Sequence, residues 1–259
     1  MTEESKFPGI NVDGGYAEYL RTTARSVIKL DDKLEPSDVA ALADAGLTAY
    51  HVVAKAARIL RPGDYCVAIG AGGVSTSFMF GLSSLWFVSA KEVKQLGHIA
   101  IQCMKAMNAA TLVVVDSNPE ALTLASSIGA DHTVQVDKDD SFVEEVLALT
   151  QGKGAAAVID FVAEGGSTKT GVKMLRRAGN YYVVGYGENL DIPTIDIVST
   201  EINFIGNLVG SYNDLTELMV LAAQGKVKLH TSKYKLTDFE RAVQDLRNGK
   251  VRGRAILVP

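Results

Sequence analysis

The stretch YCVAIGAGG, Tyr65 to Gly73, constrains this chain more than any other. Val67, Ala68 and Ile69 form an unbroken apolar run, as in a parallel strand covered on both faces. Gly70, Gly72 and Gly73 follow at once, and they let the backbone turn sharply and come close to a ligand. A second apolar strand, Leu112 to Val115, ends in Asp116. Strand, glycine turn, helix, strand and terminal acid are the parts of a dinucleotide site. The pyrophosphate sits at the helix N-terminus, where free N–H groups favour anions, and the acid takes the adenosine ribose hydroxyls. An acid at this place favours NAD, because it repels the extra phosphate of NADP.

The spacing carries further information. The fingerprint wants its acid about 20 residues beyond the glycines, and Asp116 stands at about twice that distance from Gly73. Removing Val74 to Gln95 joins Gly73 to Leu96 and gives GAGGLGHIAIQ. The motif G-x-G-x-x-G is then complete as Gly70, Gly72 and Gly97, with Asp116 at the expected separation. The removed segment begins with Val, whose codons start GT, and ends with Gln, one of whose codons is CAG. These are the usual edges of an intron. We read Val74 to Gln95 as a translated, unspliced intron, with a genuine insertion loop as the alternative. Either is expected to displace Gly97 from the glycine turn, so that the chain as given binds NAD weakly or not at all.

Composition narrows the class. With 259 residues the chain can form one large or two modest domains. An apolar content of 47% against 22% charged residues is that of a soluble globular protein. The net charge of −4 gives no footprint for nucleic acid. Cys66 and Cys103 have neither metal-ligand spacing nor the pattern of a disulfide framework, which fits a reducing cytoplasmic setting. The start MTEESKFPG lacks an apolar signal region, and Phe78 to Ala90 is too short for a membrane span.

Around the glycine strand, apolar strands alternate with helical patterns. Strands are expected at His132 to Val136, Ala156 to Phe161, Asn180 to Gly185 and Ile202 to Val209. Helices are expected at Thr48 to Leu60, His98 to Met107, Pro119 to Ile128, Phe142 to Thr150, Ser167 to Leu175 and Leu215 to Ala223. This order predicts an α/β chain with a doubly wound, parallel (Rossmann) sheet. Gly14 to Leu20 and Ser26 to Leu30 read as short strands of a β-rich region, and Arg254 to Val258 as a closing strand behind a helix at Phe239 to Leu246. The expected units are 1–45 (β-rich), 46–225 (nucleotide-binding, with 74–95 inserted) and 226–259 (a return to the first unit).

Several motifs then point to one family. GGYAEY (Gly14 to Tyr19), LADAGLTAYHVV (Leu42 to Val53), the rejoined GAGGLGHIAIQ and VVVD (Val113 to Asp116) come in order. YVVGYG (Tyr182 to Gly187), FIGNLVGS (Phe204 to Ser211) and VRGRAILVP (Val251 to Pro259) complete the set. Taken together the chain resembles the zinc-dependent, medium-chain alcohol dehydrogenases, over nearly all of its length except Val74 to Gln95. The resemblance implies hydride transfer between a primary or secondary alcohol and NAD, with zinc polarising the oxygen. It also implies a small-molecule alcohol or carbonyl substrate and a homo-oligomer, dimer or tetramer. The first and last units would be remnants of the family's β-rich catalytic domain.

The resemblance assigns residues as well. Gly70, Gly72, Gly73, Leu96 and Gly97 form the pyrophosphate turn, and Asp116 holds the ribose. Arg254 matches the arginine that pairs with the pyrophosphate, Thr48 the contact to nicotinamide, and Asp44 the third zinc ligand. Val162, Gly185 and Val209 end or follow expected strands, where ligands gather in open parallel sheets. Simpler readings stand beside these: Asp44 as a helix cap, Thr48 as a helix N-terminal residue, Arg254 as a surface charge, His51 as a packed or capping histidine. Members of the family carry a further segment before GGYAEY with the remaining zinc ligands and the proton-relay hydroxyl. Nothing in this chain replaces them, so no catalytic residue is assigned. The expectation is an N-terminally truncated, inactive NAD-dependent alcohol dehydrogenase. The alternatives are a non-catalytic fragment that binds NAD or a partner, and a relative of the zinc-free quinone reductases, against which Asp44 and LTAYH speak.

Overall fold

The computed structural model describes residues 8–9, 12–72, 96–251 and 253–259. Gly73 and Val74 to Gln95 therefore lie outside the described residues. Six parallel strands form one sheet: β1 (Tyr65–Ile69), β2 (Thr111–Asp116), β3 (His132–Gln135), β4 (Ala155–Asp160), β5 (Leu175–Val183) and β6 (Asn203–Gly206). Their order is β3-β2-β1-β4-β5-β6. The chain thus winds outward from β1 in one direction, then returns to start again at β4. The register aligns the C-terminal ends, with Ile69 opposite both Val115 and Asp160, and Val183 opposite both Asp160 and Gly206.

The helices follow from the same pattern. They are α1 (Pro36–Val39), α2 (Ala45–Ala57), α3 (Leu96–Met107), α4 (Pro119–Ser127), α5 (Ser141–Leu149), α6 (Ser167–Lys173), α7 (Thr194–Thr200), α8 (Tyr212–Ala223) and α9 (Phe239–Arg247). Strand residues alternate between two cores. Cys66, Ala68, Leu112, Val114 and Ile159 pack with α2, α3, α4 and α8 on one face. Val67, Ile69, Val113, Val115 and Val158 pack with α5 and Met174 on the other. Each fully buried strand valine contributes roughly 1.5–3 kcal/mol, which is why these runs are apolar throughout rather than alternating.

Two expected strands do not form. Gly14 to Leu20 and Ser26 to Leu30 have no strand; among the described residues before α1 there are only a 3₁₀ turn at Ala24–Ser26 and an isolated bridge between Pro8 and Val12. Tyr16 and Tyr19 are 78% and 90% exposed, so their apolar pattern meets no core here. A short strand pair without a sheet or helix beneath it is marginal in water. At the other end, β7 (Thr231–Lys235) and β8 (Arg254–Val258) do form a parallel pair, and α9 lies against both. β7 and α7 were not expected from sequence. α7 buries no residue, and β7 is a charged strand, TSKYK.

Candidate nucleotide-binding site

The glycine turn is built around the end of β1. Gly70 N–H donates to Val115 O at 2.9 Å, which extends the ladder to β2 by one step. Gly70 and Gly72 then take φ of +94° and +129°, a region that side chains rarely enter. Asp116 is buried at the end of β2. Its Oδ2 accepts from Ala71 N at 2.7 Å and its Oδ1 from Asn118 N at 2.8 Å. The acid therefore holds the middle of the glycine turn.

Gly97 is not displaced. It lies in the first turn of α3, and a Cβ placed on it would stand 2.1 Å from Gly70 O and 2.8 Å from Ala71 Cα. The expectation that the interruption would cost Gly97 its position is thus overturned. The reason lies in packing: Ile99, Ala100, Ile101, Cys103 and Met104 of α3 are all buried. That face fixes where the helix begins, whatever path the chain takes to reach it. Leu96, at the first position of α3, is buried too.

The second half of the site adjoins the first at the turning point between β1 and β4. A Cβ on Gly70 would meet Val162 Cγ2 at 2.8 Å, and one on Gly185 would meet Val162 O at 2.4 Å. Val162 and Gly185 are thus close neighbours across two strand ends. Val209 follows β6 with φ of +47°, an unusual conformation for a β-branched residue. Next to it, Gly210 packs on Leu47 and His51 of α2. The same helix carries Thr48, half-buried, whose hydroxyl donates to Asp44 O at 3.0 Å. Asp44 is exposed at the N-cap of α2, with no side-chain cap bond.

Arg254 reaches this end of the sheet through β8. Its N–H donates to His230 O at 2.9 Å, and the 228–230 segment is tied to α3 by Gln102, which exchanges bonds of 2.8 and 3.1 Å with Lys228. His98, in the first turn of α3, senses both sides. Burial pushes its imidazole below the ordinary value, Asp116 pulls it up and His230 pushes it down. His51 pairs its Nδ1 with Asp214 Oδ2 at 2.9 Å, in keeping with the packed or capping reading. Burial works against the charged form of Asp214, but hydrogen bonds from Ser211 and His51 outweigh it and hold the carboxyl low.

Two acids received no role from the sequence, although Asp160 reads there as the end of the Ala156 to Phe161 strand. Asp160 ends β4 as Asp116 ends β2, so a signal was present. Glu188 had none: its carboxylate accepts from Gly166 N and Thr168 N, each at 2.8 Å, and so caps α6 from a distant loop.

A parallel sheet in this order, with a glycine turn, a glycine-backed helix and a strand-end acid at its turning point, defines a dinucleotide-binding α/β protein. The sequence profile of the family described as zinc-binding dehydrogenase matches residues 96–224. An NAD-dependent alcohol dehydrogenase of Sulfurisphaera tokodaii is 35% identical over the whole chain, which covers 68% of that protein. An alcohol dehydrogenase of Geobacillus stearothermophilus is 31% identical, with 99% of this chain and 68% of that one covered. The crystal structure of the alcohol dehydrogenase of Aeropyrum pernix superposes with a TM-score of 0.80 at 41% identity, covering 98% of this chain and 68% of that one. The chain belongs to the zinc-type, medium-chain alcohol dehydrogenase family, for which NAD and zinc are the cofactors at the family level. Among the described residues, no helix is long and apolar enough to cross a membrane.

Proposed function

We propose that this chain is the cofactor-binding part of an NAD-dependent alcohol dehydrogenase. The observation that carries the reading is Gly97 seated on the Gly70–Ala71 backbone, with Asp116 holding Ala71 from the side. Gly70 and Gly72 take the positive φ of a tight turn and Gly97 lets the helix pack directly on that turn, the division of roles expected of glycines around a pyrophosphate. Gly70, Gly72 and Gly97 would cradle the pyrophosphate, with Gly73, Leu96 and Arg254 beside it. Asp116 would take the ribose, and Thr48, Val162, Gly185 and Val209 would line the nicotinamide side. Bound NAD supplies a hydride acceptor. The substrate would be a primary or secondary alcohol, or the matching carbonyl compound. A cytoplasmic homo-oligomer and units divided at 45/46 and 225/226 belong to the same reading.

The residues present do not fit a catalytic zinc. Such a site needs three protein ligands, and among the described residues no group of three His, Cys, Asp or Glu is placed to hold a metal. Asp44 offers one exposed carboxylate. This favours a second reading, in which the chain as given binds NAD without turning over alcohol.

Titration by nicotinamide fluorescence tests the cofactor assignment. NADH should bind more tightly than NADPH, and Asp116→Ala should narrow the gap by removing the acid that repels the extra phosphate. Equal affinity for the two cofactors in the unaltered chain would sink it.

A further inference from the structure

Asp160 is fully buried at the end of β4 and carries four hydrogen bonds on its carboxylate. Oδ1 accepts from Val162 N at 2.8 Å and Ala163 N at 2.9 Å. Oδ2 accepts from Ser167 Oγ at 2.8 Å and Tyr181 OH at 2.6 Å. Its backbone oxygen accepts from Val184 N at 2.9 Å and Gly185 N at 3.0 Å. One residue thus fixes the turn after β4, the turn after β5 and the start of α6. The turn after β4 needs such a hold, because Ala163 sits at φ +47° in the left-handed region. Tyr181 is itself buried. Burial and the neighbouring Asp160 both push its hydroxyl pKa upward, so it remains a donor.

A buried carboxylate is costly unless donors surround it. Here both oxygens are satisfied, and the two donors to Oδ1 come from the turn that carries Val162. Val162 in turn packs against Gly70 and Gly185. Displacing the carboxylate therefore moves the two strand ends on the β4–β6 side of the sheet and leaves the Asp116–Ala71 hold on the other side intact. In a doubly wound sheet the half with the fingerprint acid takes the adenosine nucleotide, and the second half takes the other nucleotide.

We propose that Asp160 is a positioning residue for the nicotinamide half of the cofactor site, acting through Val162 and Gly185, as Asp116 orders the adenosine half. The proposal rests on the NAD-binding reading above. The test compares two probes by calorimetry: NADH, which spans both halves, and ADP, which occupies only the adenosine half. Asp160→Ala should weaken NADH about tenfold or more, the scale expected for lost orienting hydrogen bonds, and leave ADP within about twofold. Asp160→Asn keeps an acceptor for Val162 N and Ala163 N and should restore most of the NADH affinity. If circular dichroism shows Asp160→Ala unfolded, the doubly substituted Ser167→Ala, Tyr181→Phe chain replaces it: it removes both donors to Oδ2, loosens the carboxylate that holds the Val162 turn, and should weaken NADH by a smaller factor with ADP unchanged. Equal weakening of NADH and ADP, or no change in either, overturns the positioning role while leaving nucleotide binding in place. Failure of the unaltered chain to bind either probe overturns both readings.

Discussion

Gly97 shows how one hydrogen atom decides a site. Replacing a glycine inside a helix by alanine normally stabilises by about 1 kcal/mol, through backbone entropy. Here the added carbon would stand 2.1 Å from Gly70 O, a backbone atom that cannot swing away. Forcing extra volume into a packed contact costs about 1–3 kcal/mol, so the clash outweighs the propensity gain. Gly97→Ala should therefore lower the urea midpoint of unfolding and weaken NADH binding. Gly206→Ala, where nothing lies within 4 Å of the added carbon, should do neither. A Gly97→Ala chain as stable as the parent would mean that α3 does not dock on the turn as described. Gly70, Gly97 and Asp116 were legible as a glycine turn, a helix start and a strand-end acid once Val74 to Gln95 was set aside, because glycines and a terminal acid at those separations mark backbone geometry. The sequence could not announce that Asp116 also holds Ala71, or that Glu188 caps α6, because those contacts join segments that only the fold brings together.

At the level of elements, the apolar strands and the helices with a buried stripe were legible to within a few residues. Those with neither escaped. α7 buries nothing, β7 is polar, and the N-terminal segment has a strand-like pattern with no sheet to join. α3 is the informative case. Its buried face places Leu96 and Gly97 at the turn although the chain arrives there through Val74 to Gln95. Joining Gly73 directly to Leu96 shortens that connection, and each halving of a loop recovers only about 0.6 kcal/mol of closure entropy. A chain lacking Val74 to Gln95 should thus be only slightly more stable in urea, yet bind NADH several-fold more tightly, because the turn and helix become one continuous ligand-facing segment. Unchanged NADH affinity after the excision would count against an interruption. Transcript sequencing across the codons for Gly73 and Leu96 addresses its origin: a message joining them directly is the expected result, and the segment in every mature message would make it a genuine part of the protein.

At the scale of the molecule, the described residues bring together a glycine turn and a strand-end acid but no group of three metal-ligand side chains, for reasons visible in each ligand type. A zinc site takes thiolates, neutral imidazoles or carboxylates, three of them converging on one point. Cys66 and Cys103 are sealed in β1 and α3, and burial pushes both thiols up to about 12, far from the thiolate a metal requires. His51 is engaged with Asp214 across α2 and α8. Asp44, the ligand proposed from the resemblance, stands exposed at the start of α2, and among the described residues no group of three ligand types forms around it. Asp44 by itself gives zinc one weak oxygen contact in water. The purified chain should accordingly carry far less than one zinc per molecule by elemental analysis. Fused behind the portion of an alcohol dehydrogenase relative that it does not cover, it should gain zinc, and Asp44→Ala should then lower that occupancy. Alcohol oxidation should appear in the fused protein and be absent from the chain alone. One zinc per molecule in the unfused chain would overturn this account of the ligands, and full occupancy after Asp44→Ala in the fusion would remove Asp44 from the set.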